Sequence, residues 1–259
     1  MPSLTGKSVL VTGSTSGIGL AFTTHALKEG ASVVAVGRRD EALADVEARL
    51  GCDELLAVRA DVGDAAQVAS AVEQGMKKFG RLDGAFNNAG LVGDFGTIDE
   101  YSDEEFDRVI RTNIYGSFNV LKHVIGAVRQ SGRGGSIVST SSTCGFRGMA
   151  SIAPYVASKH AVEGLTQSAA LEGATIGIRV NCVAPGFVDT EMMGLTHKVM
   201  DPEDPARAMK GIADQVPMQR YAQPDEIARV VAWLMTDEAS YITGQVLNVD
   251  GGISSCFLR

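Results

Sequence analysis

Read only for hydrophobic and polar positions, the chain alternates short unbroken apolar runs with longer segments whose apolar residues recur every three or four positions. The runs are SVLVTG (8–13), ASVVAVG (31–37), ELLAVRADV (54–62), LDGAFNNAG (82–90), GSIVSTSS (135–142), GIRVNCVAPG (177–186) and GQVLNVDGG (244–252). Each reads as a strand with its following turn, and the continuous Val/Ile/Leu/Ala content predicts strands covered on both faces. Helices are expected at about 17–29, 39–50, 64–79, 103–130, 154–173 and 224–236, with Trp233 packed against the sheet. No polar linker interrupts the alternation. The expectation is therefore a single α/β domain over 1–259: a doubly wound, seven-stranded, mostly parallel sheet with helices on both faces. One stretch breaks the rhythm, TEMMGLTHKVMDPEDPARAMKGIADQ (190–215). It is Met-rich, carries Pro202 and Pro205, and is longer than a usual connection, as a lid or substrate-binding insertion would be.

Composition agrees and excludes several partners. The 259 residues are 45% hydrophobic and 21% charged, with 30 Gly, enough for one large core and tight strand-to-helix turns. The formal charge of −8, with basic residues scattered, disfavours nucleic acid and anionic membrane surfaces. No apolar run reaches the length of a membrane helix, and the amino end lacks an export pattern, so a cytoplasmic location is expected. Cys52, Cys144, Cys182 and Cys256 show no paired or metal-type spacing, so reduced thiols and no metal site are expected.

The first chemical candidate is TGSTSGIG (12–19), placed between the first strand and the first helix. Gly13, Gly17 and Gly19 allow a tight turn, close approach of a pyrophosphate and close helix packing. With Ser14, Thr15, Ser16 and Ile18 they form the expected phosphate cradle at a helix amino end. At the end of the second strand a carboxylate would hold a ribose 2′-OH, whereas Arg accommodates a 2′-phosphate. Here Arg38 and Arg39 precede Asp40, which favours NADP(H) over NAD(H). Asp61 and Val62 are placed at the adenine edge. Asn88, Ala89 and Gly90 of NNAG leave room for the cofactor's ribose.

The second candidate is Tyr155 with Lys159 in YVASKHA, one helical turn apart and so on one face. A free tyrosine, with a pKa of about 10, is a poor proton shuttle near neutrality. A neighbouring ammonium favours the phenolate and is expected to lower that value. Ser142, thirteen residues upstream, can orient a carbonyl or alcohol. Taken singly, Ser142 could be a helix cap, Tyr155 a core aromatic and Lys159 a solvated charge. Ligands of parallel α/β sheets bind beyond the carboxyl ends of the strands, so these residues and the glycine turn should meet in one crevice.

In this order and spacing the motifs TGSTSGIG, NNAG, RTNIYG, STSS, YVASK, NCVAPGFVDT and ITGQVLNVDGG resemble the classical short-chain dehydrogenases/reductases over nearly the whole chain. The resemblance implies a Rossmann-type oxidoreductase that interconverts a ketone and a secondary alcohol. Tyr155 is then the acid/base, Ser142 polarises the substrate oxygen, and Lys159 tunes the tyrosine and holds the ribose. It further implies that Asn113 sustains a proton relay, that Val188 and Thr190 hold the carboxamide, and that Pro185 and Gly186 form the turn beneath. Phe95, Cys144, Phe146, Phe187, Met192 and Met193 are the expected substrate wall. Gly173 stands where the family often has a larger residue, an expected loosening of that helix end. A homotetramer or homodimer is implied, built through 103–130, 154–173 and the CFLR tail (256–259). An NAD-dependent catabolic alcohol dehydrogenase is the alternative on this scaffold; a non-enzymatic dinucleotide sensor would lack the tyrosine or the lysine.

Overall fold

The structure is a computed structural model that describes residues 3–255; the CFLR tail lies outside the described residues. Its strands are β1 (Ser8–Thr12), β2 (Ser32–Gly37), β3 (Leu55–Arg59), β4 (Gly84–Asn87), β5 (Gly135–Thr140), β6 (Ile178–Pro185) and β7 (Val246–Val249). Among the described residues they form one sheet in the order β3-β2-β1-β4-β5-β6-β7, every neighbouring pair parallel. Strand order reverses between β1 and β4, and a reversal of this kind opens a crevice at the carboxyl edge of the sheet.

The helices are α1 (Gly17–Lys28), α2 (Asp40–Leu50), α3 (Ala65–Phe79), α4 (Asp103–Ile110), α5 (Gly116–Ser131), α6 (Ala153–Ala174), α7 (Glu191–Met200), α8 (Pro205–Ala213) and α9 (Pro224–Met235). Side-chain period two on the strands sorts the core into two layers. Val9, Val11, Val33 and Ala35 join Phe22 and Ile227 on the α1/α9 face. Leu10, Val34 and Val36 join Val68, Val120 and Val124 on the α3/α5 face. Phe22 and Phe86 meet edge to face, with ring centres 5.0 Å apart. Trp233 packs against the first layer as expected. Local chemistry sets the helix ends: Asp64 accepts from the backbone of Ala66 and Gln67 to start α3, and Gly80, at φ 72°, ends it.

Two expectations change and a third gains detail. The helix expected over 103–130 is α4 and α5 joined by one π-helical turn, Arg111–Tyr115, which contains Asn113. Gly173 does not loosen α6: a Cβ there would lie 2.8 Å from the Ile178 carbonyl oxygen, so glycine lets the helix sit against the start of β6. The stretch 190–215 holds two short helices, α7 and α8, capped by Thr190 and Asp204. Among the described residues no helix is long and apolar enough to cross a membrane.

Candidate active site

Close approaches at glycines draw the site together. A Cβ on Gly13 would stand 3.1 Å from Ala89 Cα and from Asn88 Nδ2, and one on Gly19 would overlap the Gly13 carbonyl. One on Gly17 would meet Thr190 Cγ2 at 3.1 Å, and one on Gly90 would meet Asn113 Oδ1 at 3.3 Å and Lys159 Nζ at 3.5 Å. The turn after β1, NNAG after β4, Thr190 after β6 and the lysine of α6 thus border one another. Thr12 joins β1 to β4, since its Oγ1 accepts from the backbone nitrogens of Asn88 and Ala89, each at 3.0 Å. A turn kept bare of side chains at the amino end of α1 fits a dinucleotide pyrophosphate.

Arg38 and Arg39 are exposed beyond β2, and neither forms an ion pair among the described residues; Asp40 pairs with Arg59 at 3.2 Å. Thr15 sits against the end of β2, 2.9 Å from where a Gly37 Cβ would be. Ser14 is buried and donates to the Val36 carbonyl, which fixes the turn from beneath. Asp61 and Val62 lie just past β3. Val62 is buried against Gly116, while Asp61 accepts from the Gly63 backbone.

At the other end of the crevice, Ser142 starts a 3₁₀ turn, Thr143–Gly145, and its Oγ accepts from Cys144 N at 3.2 Å. Ser142 also lies close enough to Tyr155 to favour its phenolate. Burial outweighs that influence and pushes the Tyr155 phenol above its ordinary value, with the nearby Cys144 adding to the rise. The expected lowering by Lys159 is absent here, for Lys159 is itself desolvated: it is 4% exposed and not a solvated charge. Burial brings its ammonium down to about 8. Its Nζ lies 5.4 Å from the Tyr155 ring centre and donates to the Thr140 carbonyl at 2.8 Å.

Asn113 is buried in the π-helical turn, where a widened helix exposes different backbone groups from an α-helix. Its side chain clamps Leu91, accepting from Leu91 N and donating to Leu91 O at 2.9 Å each, and also donates to Ser158 Oγ at 2.9 Å. Sequence reasoning missed Thr12, Thr140 and Ser158. The first two reveal themselves only through strand pairing; Ser158 is adjacent to Lys159 but gives no signal of its own.

Of the expected substrate wall, Cys144 is buried beside Tyr155, while Phe95 and Phe146 are exposed on neighbouring loops. Met192 and Met193 begin α7. Phe187 has other company: its ring centre is 5.7 Å from that of Tyr221, and it lines a cleft with Trp233 and Val249. Gly186 is packed against Asp250, and Val188 is buried and bridged to Ala222.

An all-parallel sheet with this reversal, a bare glycine turn and a Ser-Tyr-Lys cluster at its carboxyl edge defines an oxidoreductase that works with a nicotinamide dinucleotide. Comparison with known proteins narrows the class. The family model described as "Enoyl-(Acyl carrier protein) reductase" matches residues 13–254. Levodione reductase of Leifsonia aquatica is 38% identical over 257 residues, 98% of this chain and 96% of that protein. A levodione reductase crystal structure superposes with a TM-score of 0.94 over 98% of this chain and 99% of the other. The A-factor type gamma-butyrolactone 1'-reductase (1S-forming) of Streptomyces virginiae is 41% identical over 253 residues, 97% of this chain and 96% of that protein. The 3-ketoacyl-(acyl-carrier-protein) reductase of Brucella melitensis, complexed with NADH, gives a TM-score of 0.87 at 33% identity, covering 97% and 100%. The chain belongs to the short-chain dehydrogenase/reductase family and is an NAD(P)-dependent oxidoreductase of ketones and alcohols.

Proposed function

We propose that the protein reduces a partly apolar small-molecule ketone to a secondary alcohol, reversibly, with Tyr155 as acid/base and NADP(H) as preferred cofactor. The observation that carries the reading is the cluster itself: Ser142 acts on the Tyr155 phenol, Cys144 lies beside it, and Lys159 Nζ is 5.4 Å from the tyrosine ring. In reduction, Ser142 and Tyr155 bond the ketone oxygen, and Tyr155 gives it a proton as charge develops there; in oxidation the proton returns. A phenol held protonated by burial suits the donating direction. Gly13, Ser14, Thr15, Ser16, Gly17, Ile18 and Gly19 would hold the dinucleotide at its pyrophosphate, and the bound cofactor would supply the hydride. Asn88, Ala89, Gly90 and Lys159 would face its ribose, and Val188 and Thr190 its carboxamide. Asn113, fixed between Leu91 and Ser158, borders Lys159 where a relay to solvent would start.

The preference for NADP(H) rests on Arg38 and Arg39, two cations beyond β2 that have no carboxylate partner among the described residues. The NADH complex of the Brucella relative favours the alternative, an NAD-dependent alcohol dehydrogenase. Titration of each reduced cofactor separates the two, and tenfold tighter NADH, about 1.4 kcal/mol, would reverse the preference. The catalytic assignment is tested by Tyr155→Phe, screened with ketones and alcohols at the absorbance of the reduced cofactor. Turnover should vanish with cofactor affinity nearly intact; retained turnover would refute the assignment. We read 1–259 as one domain acting in the cytoplasm as a homotetramer or homodimer, with 190–215 as its substrate loop.

A further inference from the structure

Glu163 takes no part in the chemistry above. On α6, Tyr155, Lys159 and Glu163 stand at four-residue intervals, so their side chains follow one another along one face. Glu163 Oε1 accepts a hydrogen bond from Ser141 Oγ at 2.7 Å. The same hydroxyl lies 3.3 Å from the Lys159 carbonyl and 3.4 Å from the Ser142 carbonyl. One hydroxyl has one proton to donate, and the short bond to a carboxylate is the strong one of the three.

Ser141 is buried, and its backbone nitrogen donates to Val183 O at 2.8 Å, so the residue is tied to β6 on one side and to α6 on the other. The turn that follows closes through Gly145 N to Ser142 O at 2.8 Å. It passes so close to the helix that a Cβ on Gly145 would overlap both the Glu163 carboxylate and Ser141 Oγ. The carboxylate thus fills the gap between the turn that carries Ser142 and the helix that carries Tyr155 and Lys159.

We propose that Glu163 is a positioning residue for the reaction: by holding Ser141 it fixes the 141–145 turn on α6 and so sets the separation of the Ser142 and Tyr155 hydroxyls. This rests on the reading of Ser142, Tyr155 and Lys159 given above. A carboxylate in this place acts on orientation of the substrate oxygen, and a misplacement of about 1 Å at a reacting centre can cost about a hundredfold in rate. It does not touch the glycine turn, so cofactor affinity should be left as it is.

The test uses the full chain with a ketone found active in the screen, and compares Glu163→Ala, Glu163→Gln and Ser141→Ala. The readouts are kcat, KM, NADPH affinity, melting temperature and hydrogen exchange of the 141–145 amides in the cofactor-free protein. Glu163→Ala and Ser141→Ala should each lower kcat by about tenfold or more and speed exchange at 141–145, with NADPH affinity unchanged. Glu163→Gln, whose amide oxygen accepts the same bond, should restore most of kcat. The double alanine variant should be no worse than either single, because both remove one contact. Unchanged kcat in Glu163→Ala, an additive double variant, or a Gln variant as slow as the Ala variant would each overturn the proposal. If Glu163→Ala does not fold, Ser141→Ala and Glu163→Gln decide by the same criteria. Turnover that survives Tyr155→Phe would instead strike the underlying reading, whereas turnover lost in Tyr155→Phe but intact in Glu163→Ala strikes this inference alone.

Discussion

Replacing Lys159 by Met should make the cofactor-free protein more stable while removing its activity. The ammonium is 4% exposed, and burial, the dominant cause, brings it from 10.5 to about 8, with the neighbouring Cys182 and Cys144 opposing the fall. A lysine whose folded value is depressed binds its proton more weakly when folded than when unfolded. Its destabilisation is therefore fully present below about pH 8 and is relieved as pH rises from there toward 10.5. At 1.36 kcal/mol per pKa unit this is about 3 kcal/mol at neutral pH. Met has a similar length and no charge, but it leaves the Thr140 carbonyl without the bond it accepts at 2.8 Å, a loss of about 1 kcal/mol. The net expectation is about 2 kcal/mol of added stability at pH 7. Tyr155 and Cys182 have folded values raised by burial, so their contributions decline in alkali. They are present in both proteins and cancel to first order in the difference.

The assay is urea unfolding of wild type and Lys159→Met without cofactor at several pH values from 6 to about 9.5, followed by circular dichroism. The difference should be largest and flat below pH 8 and shrink above it. A variant that is less stable at pH 7, or a difference independent of pH across the series, would refute the reasoning that this cation is held in a desolvated place at a cost in stability.

Three further outcomes are expected. Gly19→Ala, whose new Cβ would overlap the Gly13 carbonyl, should fold by circular dichroism yet weaken NADPH by at least about tenfold in fluorescence titration; normal affinity would contradict the cradle. Tyr221→Phe removes the partner of buried His197, whose Nε2 is 2.8 Å from the Tyr221 hydroxyl. It should cost about 1–3 kcal/mol in unfolding experiments and raise substrate KM, because His197 anchors the helix that carries Met192 and Met193. Light scattering should give a homotetramer or homodimer, and Phe118→Glu, at a 48% exposed apolar position on α5, should lower the mass; a monomeric wild type would end the oligomer reading.

What was legible in the chain follows from how local each signal is. Continuous apolar runs announced the buried inner strands, though not that the edge strands β3 and β7 are only partly covered, and the glycine spacing announced the turn after β1, because both signals depend on neighbours in sequence. The π-helical turn at Arg111–Tyr115 gave no such sign. RTNIYG has the apolar spacing of an ordinary helix, and the extra residue per turn is held by contacts from elsewhere: Asn113 to Leu91 and Ser158, and Gly116 against Val62. Gly173 was misread for a like reason, since the atom that demands glycine is the carbonyl of Ile178, beyond the turn that follows the helix.

The tyrosine is the harder case, because the residues were found and the sign of the effect was not. A lysine one turn away predicts a lowered phenol only if that lysine carries full charge in contact with it. In the folded chain the helix face that brings Tyr155 and Lys159 together is pressed against β5 and β6, so the same packing that aligns the pair desolvates both. Desolvation raises a phenol and lowers an ammonium, and moves each toward its neutral form. In the cofactor-free site burial therefore favours the protonated phenol of Tyr155, while Lys159, brought down to about 8, is half charged near that pH and charged below it. With Tyr155 as the proposed acid/base, the oxidative direction then calls for additional positive charge in the crevice to favour the phenolate. Spacing in the sequence reveals which groups meet; only burial decides which of them is ionised when they do.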